Sequence, residues 1–186
     1  MITRAQLISP AYLAQQQVLH ARPEGYGGKG QKWAAGVCTI AKELGATSIL
    51  DYGCGQGALK KALQTLAPPV YRIDEYDPAI PGKDGMPVFA DLVVCTDVLE
   101  HVEPERLPTV LAHLKLLARK AVFVVIATRP SNKTLPDGRN AHLIQEDGAW
   151  WLTRMLEAGF TITAGPPSPL LKPSREWVAL LRLGPC

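Results

Sequence analysis

Residues 48–61 read "SILDYGCGQGALKK", an apolar run that ends in an acid, three glycines at alternate positions, and then a helix-like pattern. Gly53, Gly55 and Gly57 carry no Cβ, so the chain there can turn through positive φ or let a ligand lie against the main chain. A strand, a glycine turn and a helix start together make a general site for an anion or nucleotide, because free N–H groups at the helix start face outward. The spacing narrows this. No G-K-[ST] ending follows, so no lysine is placed to reach a phosphate as in ATP-type phosphate loops. The dinucleotide fingerprint runs G-x-G-x-x-G, whereas here it is G-x-G-x-G with Asp51 two places before.

Outward from this loop the chain has an α/β rhythm. Upstream, Trp33, Val37, Ile40, Ala41 and Leu44 recur at helical spacing and stop at Gly45. Downstream, Leu59, Leu63 and Leu66 mark a short helix ending before Pro68 and Pro69, and "VYRIDEYD" reads as a strand closed by Pro78. "DLVVC" and "AVFVVIAT" are further strands, separated by a helix over "EPERLPTVLAHLKLLARK". Near-continuous apolar strands point to a parallel sheet covered on both faces. A polar loop "RPSNKTLPDGRNAHL", a helix "EDGAWWLTRMLEAG" and the strands "FTITAG" and "EWVALLRL" follow, the last two suited to a hairpin at a sheet edge.

Composition sets the outer bounds. A chain of 186 residues suits one domain, and 47% hydrophobic with 20% charged residues is ordinary for a globular protein. A net charge of +3 without a basic stripe permits nucleic acid but does not imply it. Cys38, Cys54, Cys95 and Cys186 form no CxxC pair, no histidine is spaced to complete a metal site, and the N-terminus lacks a signal-peptide pattern. A reducing cytoplasm is the expected location. No apolar stretch reaches the roughly 18 to 20 residues that span a bilayer.

"ILDYGCGQG" resembles the first motif of the class I S-adenosylmethionine-dependent methyltransferases, an apolar strand followed by D/E-x-G-x-G-x-G. "FADLVVCTDVLEHV" is similar to that family's fourth strand and its exit, and "NAHLIQEDGAWWLTRMLEAGFTI" to the segment after its next strand, so the resemblance covers residues 46–165. It implies a Rossmann-like, doubly wound α/β fold with a mostly parallel sheet and an antiparallel last strand. It also implies S-adenosylmethionine as cofactor, with Asp51, Gly53, Cys54, Gly55 and Gly57 around the methionine part. Cys54 is read there as a small buried filler. A second acid, about 20 residues past the glycines, is expected at the ribose hydroxyls, as in related dinucleotide folds. Asp77 is preferred over Asp74 because "YDPAI" resembles the family's strand end. Thr96 and Asp97, at the exit of the fourth strand, complete the cofactor set.

One departure stands out. Between Asp77 and Asp91 lie only thirteen residues, "PAIPGKDGMPVFA", where the family places a helix and a strand. The sheet should therefore be one strand short of seven, and the adenine contact falls by default on Asp84.

The acceptor side is read from position. His142 lies in a loop at the carboxyl end of a strand, where open α/β sheets bind ligands, and His142 or His101 is the candidate base if the acceptor is a hydroxyl. Against this, Glu100 reads equally as a charge near a helix start and His101 as a surface residue. His113 is read as a solvated helix residue, and Trp150 and Trp151 as packing. Residues 1–31 are read as an N-terminal flap of low packing density, with Tyr26 beside Gly27 and Gly28, and 32–186 as the catalytic domain. "CTDV" stands where a DNA amino-methyltransferase resembles its family by carrying [DN]-P-P-[YF], so no DNA partner is expected. The expected function is O- or N-methylation of a small molecule or metabolite. Two other readings stand beside it: a non-catalytic S-adenosylmethionine-binding accessory protein, and an RNA methyltransferase acting in a complex.

Overall fold

The computed structural model describes residues 2–22, 26–66, 71–164 and 175–183. Two short helices, α1 (Arg4–Leu7) and α2 (Pro10–His20), precede α3 (Ala34–Glu43), β1 (Ser48–Tyr52), α4 (Ala58–Leu66) and β2 (Arg72–Tyr76). Then come β3 (Ala90–Thr96), α5 (Leu107–Leu117), β4 (Ala118–Ala127), α6 (Gly148–Glu157), β5 (Phe160–Ala164) and β6 (Glu176–Leu183). The six strands form one sheet in the order β2-β1-β3-β4-β6-β5. β1 to β4 pair in parallel, and β6 runs antiparallel to both β4 and β5. The last two strands are thus the expected hairpin, with β6 inserted beside β4 and β5 left at the edge.

Period-two alternation divides the core between the two faces of this sheet. Leu50, Val93, Cys95, Val122 and Val124 point to the face covered by α5 and α6, whose Leu111, Leu114, Trp151 and Met155 are buried there. Ile49, Leu92, Val94 and Phe123 point the other way, against Val37 and Ile40 of α3 and Leu59 and Leu63 of α4. Both faces are closed, which is why β1 and β3 are buried along their whole length. Residues 78–89 form turns without helix or strand, so β2 is the outer strand and the sheet has six strands, as the short segment required.

Three local readings need correction. β4 begins at Ala118, so Arg119 and Lys120 belong to the strand and not to the preceding helix. The exposure of these two residues hides the strand start from an apolar pattern. His113 is only 2% exposed, with Nδ1 3.0 Å from the Tyr52 hydroxyl. A polar group at a core position is tolerated when it is paired, and here the partner comes from β1, far away in sequence. The N-terminal segment is also better packed than its polar composition suggests. Leu7, Ile8, Tyr12 and Leu19 are all buried, and Ile8, Tyr12 and Leu19 form a satellite cluster with Leu135 and Ala141. α2 is anchored by Ser9, whose Oγ accepts from Tyr12 N at 3.1 Å, with Pro10 at the first helical position.

Candidate functional site

The strand order turns back between β1 and β3, and at such a switch point the loops leaving neighbouring strands splay apart. A cavity of about 610 Å³ opens there, lined by Asp51 to Gly55 at the end of β1, Asp77 to Ala79 after β2, and Thr96 to Val98 at the end of β3. Residues from the N-terminal segment and from the loop after β4 close its other side.

The glycine loop is held by groups that only the fold brings together. Gly53, Gly55 and Gly57 have φ of 76°, 50° and 76°, conformations for which glycine is the natural choice. Gly53 N and Cys54 N both donate to Tyr76 O, at 2.7 and 3.1 Å. Beneath the loop, Lys83 Nζ donates to Gly55 O at 3.1 Å and pairs with Glu75 at 3.0 Å, and Lys60 reaches the same carboxylate at 3.3 Å. Sequence reading missed this network, and no local pattern marks it. Gly57 does not line the cavity: its turn starts α4, and a Cβ there would strike Glu75.

Asp51 is 4% exposed, and its Oδ2 has no hydrogen-bond partner. Burial above all, then the nearby charge of Glu75, pushes its pKa up to about 7. A buried carboxylate oxygen without a donor is costly, so this atom asks for a cation or a hydrogen-bond donor from a ligand.

Asp77 stands differently. Its Oδ2 accepts from Gly55 N and its Oδ1 from Ala79 N, both at 2.9 Å, so it braces the glycine loop while lining the cavity. Each oxygen keeps a second lone pair for a ligand hydroxyl. Asp74 lies outside the cavity and pairs with Arg72 at 2.8 Å, and Asp84 is likewise outside, paired with Arg4 at 2.8 Å. Asp77→Ala is therefore expected to lower stability by roughly 2 to 3 kcal/mol, from the lost bonds to a charged acceptor, and to weaken ligand binding as well. Asp74→Ala should do neither; thermal melts and calorimetry on the two variants check this.

After β3 the chain turns sharply. Thr96 ends the strand, and Asp97 has φ of 55°, the one described non-glycine residue with positive φ. Its N–H donates to Val125 O at 2.8 Å, and its carboxylate lies 3.3 Å from Lys32 Nζ. A backbone strained in this way is held by its surroundings and marks a position worth its cost. The turn swings Leu99–His101, a short 3-10 helix, beneath the cavity.

There the two candidate histidines meet. The His101 and His142 rings stack edge to face with centroids 4.7 Å apart. His101 Nδ1 lies 2.7 Å from Ala141 O, and His142 Nδ1 lies 2.6 Å from Arg129 O. A carbonyl only accepts, so both rings carry their proton on Nδ1 and offer the Nε2 lone pair. Burial, together with His142, drives His101 down to about 3, and burial also lowers His142. Both shifts favour the neutral ring.

Glu100, read from sequence as a possible helix-start charge, is fully buried. One oxygen accepts from Ala127 N at 3.0 Å, while Oε2 has no partner. From the N-terminal segment, the Tyr26 hydroxyl lies 3.1 Å from His101 Nδ1, and His20 stacks on the Tyr26 ring at 4.9 Å. Gly27 O accepts from Gln56 N at 3.0 Å, so the segment sits closed on the glycine loop.

A family model described as a methyltransferase domain matches residues 19–163, and the chain belongs to that family, the class I S-adenosylmethionine-dependent methyltransferases. No curated protein matches the chain. Among solved structures it is similar to magnesium protoporphyrin IX methyltransferase from Synechocystis PCC 6803 with bound SAM, at 16% identity over 83% of this chain and 79% of that one, TM-score 0.58. It is similar also to 1,6-didemethyltoxoflavin-N1-methyltransferase from Burkholderia thailandensis with bound 1,6-didemethyltoxoflavin and S-adenosylhomocysteine, at 16% identity over 94% and 84%, TM-score 0.60. Mitomycin 7-O-methyltransferase MmcR matches at 14% identity over 82% and 54%, TM-score 0.58. Among the described residues no helix is long and apolar enough to cross a membrane.

Proposed function

We propose that the protein transfers a methyl group from S-adenosylmethionine to oxygen or nitrogen of a small molecule, in a reducing cytoplasm. The observation that carries this is the orphaned Asp51 Oδ2 at the head of a glycine loop, in a cavity of about 610 Å³. That volume falls within the usual range for small-molecule sites. The cofactor supplies an electrophilic methyl group on a sulfonium. The chain's own part is to hold, align and dry the reacting groups, worth roughly 7 to 11 kcal/mol when the geometry is right.

In this reading Asp51 takes the cofactor's ammonium and Asp77 the ribose hydroxyls, with the backbone of Gly53, Cys54 and Gly55 alongside. Thr96 and Asp97 close the cofactor pocket, while Gly57 serves only to shape the loop. His101 and His142 face the acceptor. A group lowered to about 3 is a poor proton acceptor, so His142 is the better base of the two. Residues 1–31 serve as a lid on the domain that follows, opening to admit ligands; the closing contact of Gly27 on Gln56 supports this. Small-molecule neighbours such as the toxoflavin and mitomycin enzymes support the acceptor class. Free thiols at Cys38, Cys54 and Cys95 suit the compartment. The shortened segment lies beside β2, yet Pro78 and Ala79 still line the cavity, so the missing strand does not favour a non-catalytic protein.

The test is transfer of labelled methyl from S-adenosylmethionine to a panel of hydroxylated and amino small molecules, with RNA in parallel. Small-molecule labelling supports the reading; labelling of RNA alone, or of nothing while cofactor binds, overturns it. His142→Ala is expected to lower turnover about 100-fold or more while cofactor affinity stays within about twofold, as loss of a general base predicts.

A further inference from the structure

We propose that Glu100, His101 and His142 form a binding site for one divalent transition-metal ion at the acceptor side of the cavity. One ligand atom from each of the three lies within 4.8 Å of the others, and this is the single such group among the described residues. Donors around a dication at about 2.1 Å stand roughly 3 to 4 Å apart, so small ring and carboxylate movements complete the site.

Three further features fit. Both imidazoles present Nε2 while Nδ1 is fixed by a backbone carbonyl, Ala141 O for one and Arg129 O for the other. Metal-binding histidines are held in this way, because the outer bond sets tautomer and ring orientation. Glu100 is fully buried, is fixed through Ala127 N, and leaves Oε2 with no donor. Asp97 adds negative charge that acts on both Glu100 and His142, and it is only partly met by Lys32 at 3.3 Å. Two imidazole nitrogens and one carboxylate suit a first-row transition metal better than calcium or magnesium, and leave coordination positions open.

Those open positions deepen the methyl-transfer reading, on which this use of the ion rests, by selecting an acceptor that offers oxygen. With the ion bound, His142 Nε2 is a ligand and no longer the base, and a hydroxyl bound to the dication gives up its proton to solvent more readily. The oxygen then forms its bond to the methyl carbon as the carbon–sulfur bond breaks, with the electron pair left on sulfur. The Tyr26 hydroxyl stands beside the site, 3.5 Å from His101 Nε2.

The probe is Co²⁺ added to the full chain after treatment with chelator. One equivalent should give the visible absorption of nitrogen-ligated Co²⁺, and Zn²⁺ should displace it. Glu100→Gln keeps the acceptor for Ala127 N, and His142→Gln removes an imidazole; each should weaken Co²⁺ binding at least tenfold with an unchanged circular dichroism spectrum. Absence of saturable Co²⁺ binding overturns the site, as does wild-type affinity in both variants. If one variant fails to fold, the other decides. Calorimetry with S-adenosylhomocysteine alone tests the methyl-transfer reading separately: no binding there, with Co²⁺ still bound, counts against methyl transfer and leaves the metal site standing.

Discussion

A Gly55→Val protein is expected to bind S-adenosylmethionine about a hundredfold more weakly than wild type, since roughly 3 kcal/mol of backbone strain and displaced contacts enters at the site itself. Two costs combine. A φ of 50° is strongly disfavoured for a β-branched residue. A Cβ at this position would also run into Gly27 O, with Gly27 Cα at 2.9 Å, forcing the N-terminal segment off the loop. The sheet lies below both contacts, so circular dichroism should report a folded protein. Wild-type affinity by calorimetry in a folded Gly55→Val variant would remove the loop from the cofactor site.

Asp51→Asn should separate stability from function. Burial raises Asp51 to about 7, above its unfolded value of roughly 3.9. Folding therefore favours the protonated form: that contribution is complete below about pH 4 and is lost as pH rises through 7. At pH 8 the wild type carries a buried, unpaired charge that asparagine lacks, so the variant should melt higher. Cofactor affinity should fall, by about 10-fold to 100-fold if a bond between charged groups is lost. The same linkage gives a pH profile. An ammonium draws Asp51 back to the carboxylate, so binding near pH 6 should release a proton, and wild-type affinity should climb with pH until about 7 and then level off. Calorimetry in two buffers of different ionisation enthalpy reads the proton directly. A variant that binds as well as wild type, with no proton release, would take the ammonium away from Asp51.

What the sequence made legible is what a backbone demands locally. "DYGCGQG" encodes three positive-φ positions at the end of a buried strand, and thirteen residues between Asp77 and Asp91 cannot hold a helix and a strand. What it hid are pairings made across the sheet. His113 looked solvated because its partner, Tyr52, is on β1, and Glu100 looked like a helix-start charge because its bond to Ala127 N comes from β4. The two roles of Asp77, brace and cavity wall, depend on Gly55 and Ala79 turning toward the same carboxylate. Tyr26 and His101 are 75 positions apart and meet only once the N-terminal segment folds over the loop.

The central claim is tested most directly by a crystal structure of the protein grown with S-adenosylhomocysteine. The account predicts the ligand in the cavity between β1 and β3, its amino group within hydrogen-bond distance of Asp51 Oδ2 and its ribose hydroxyls at Asp77. Density for the ligand elsewhere, or none in the cavity at saturating concentration, would contradict it.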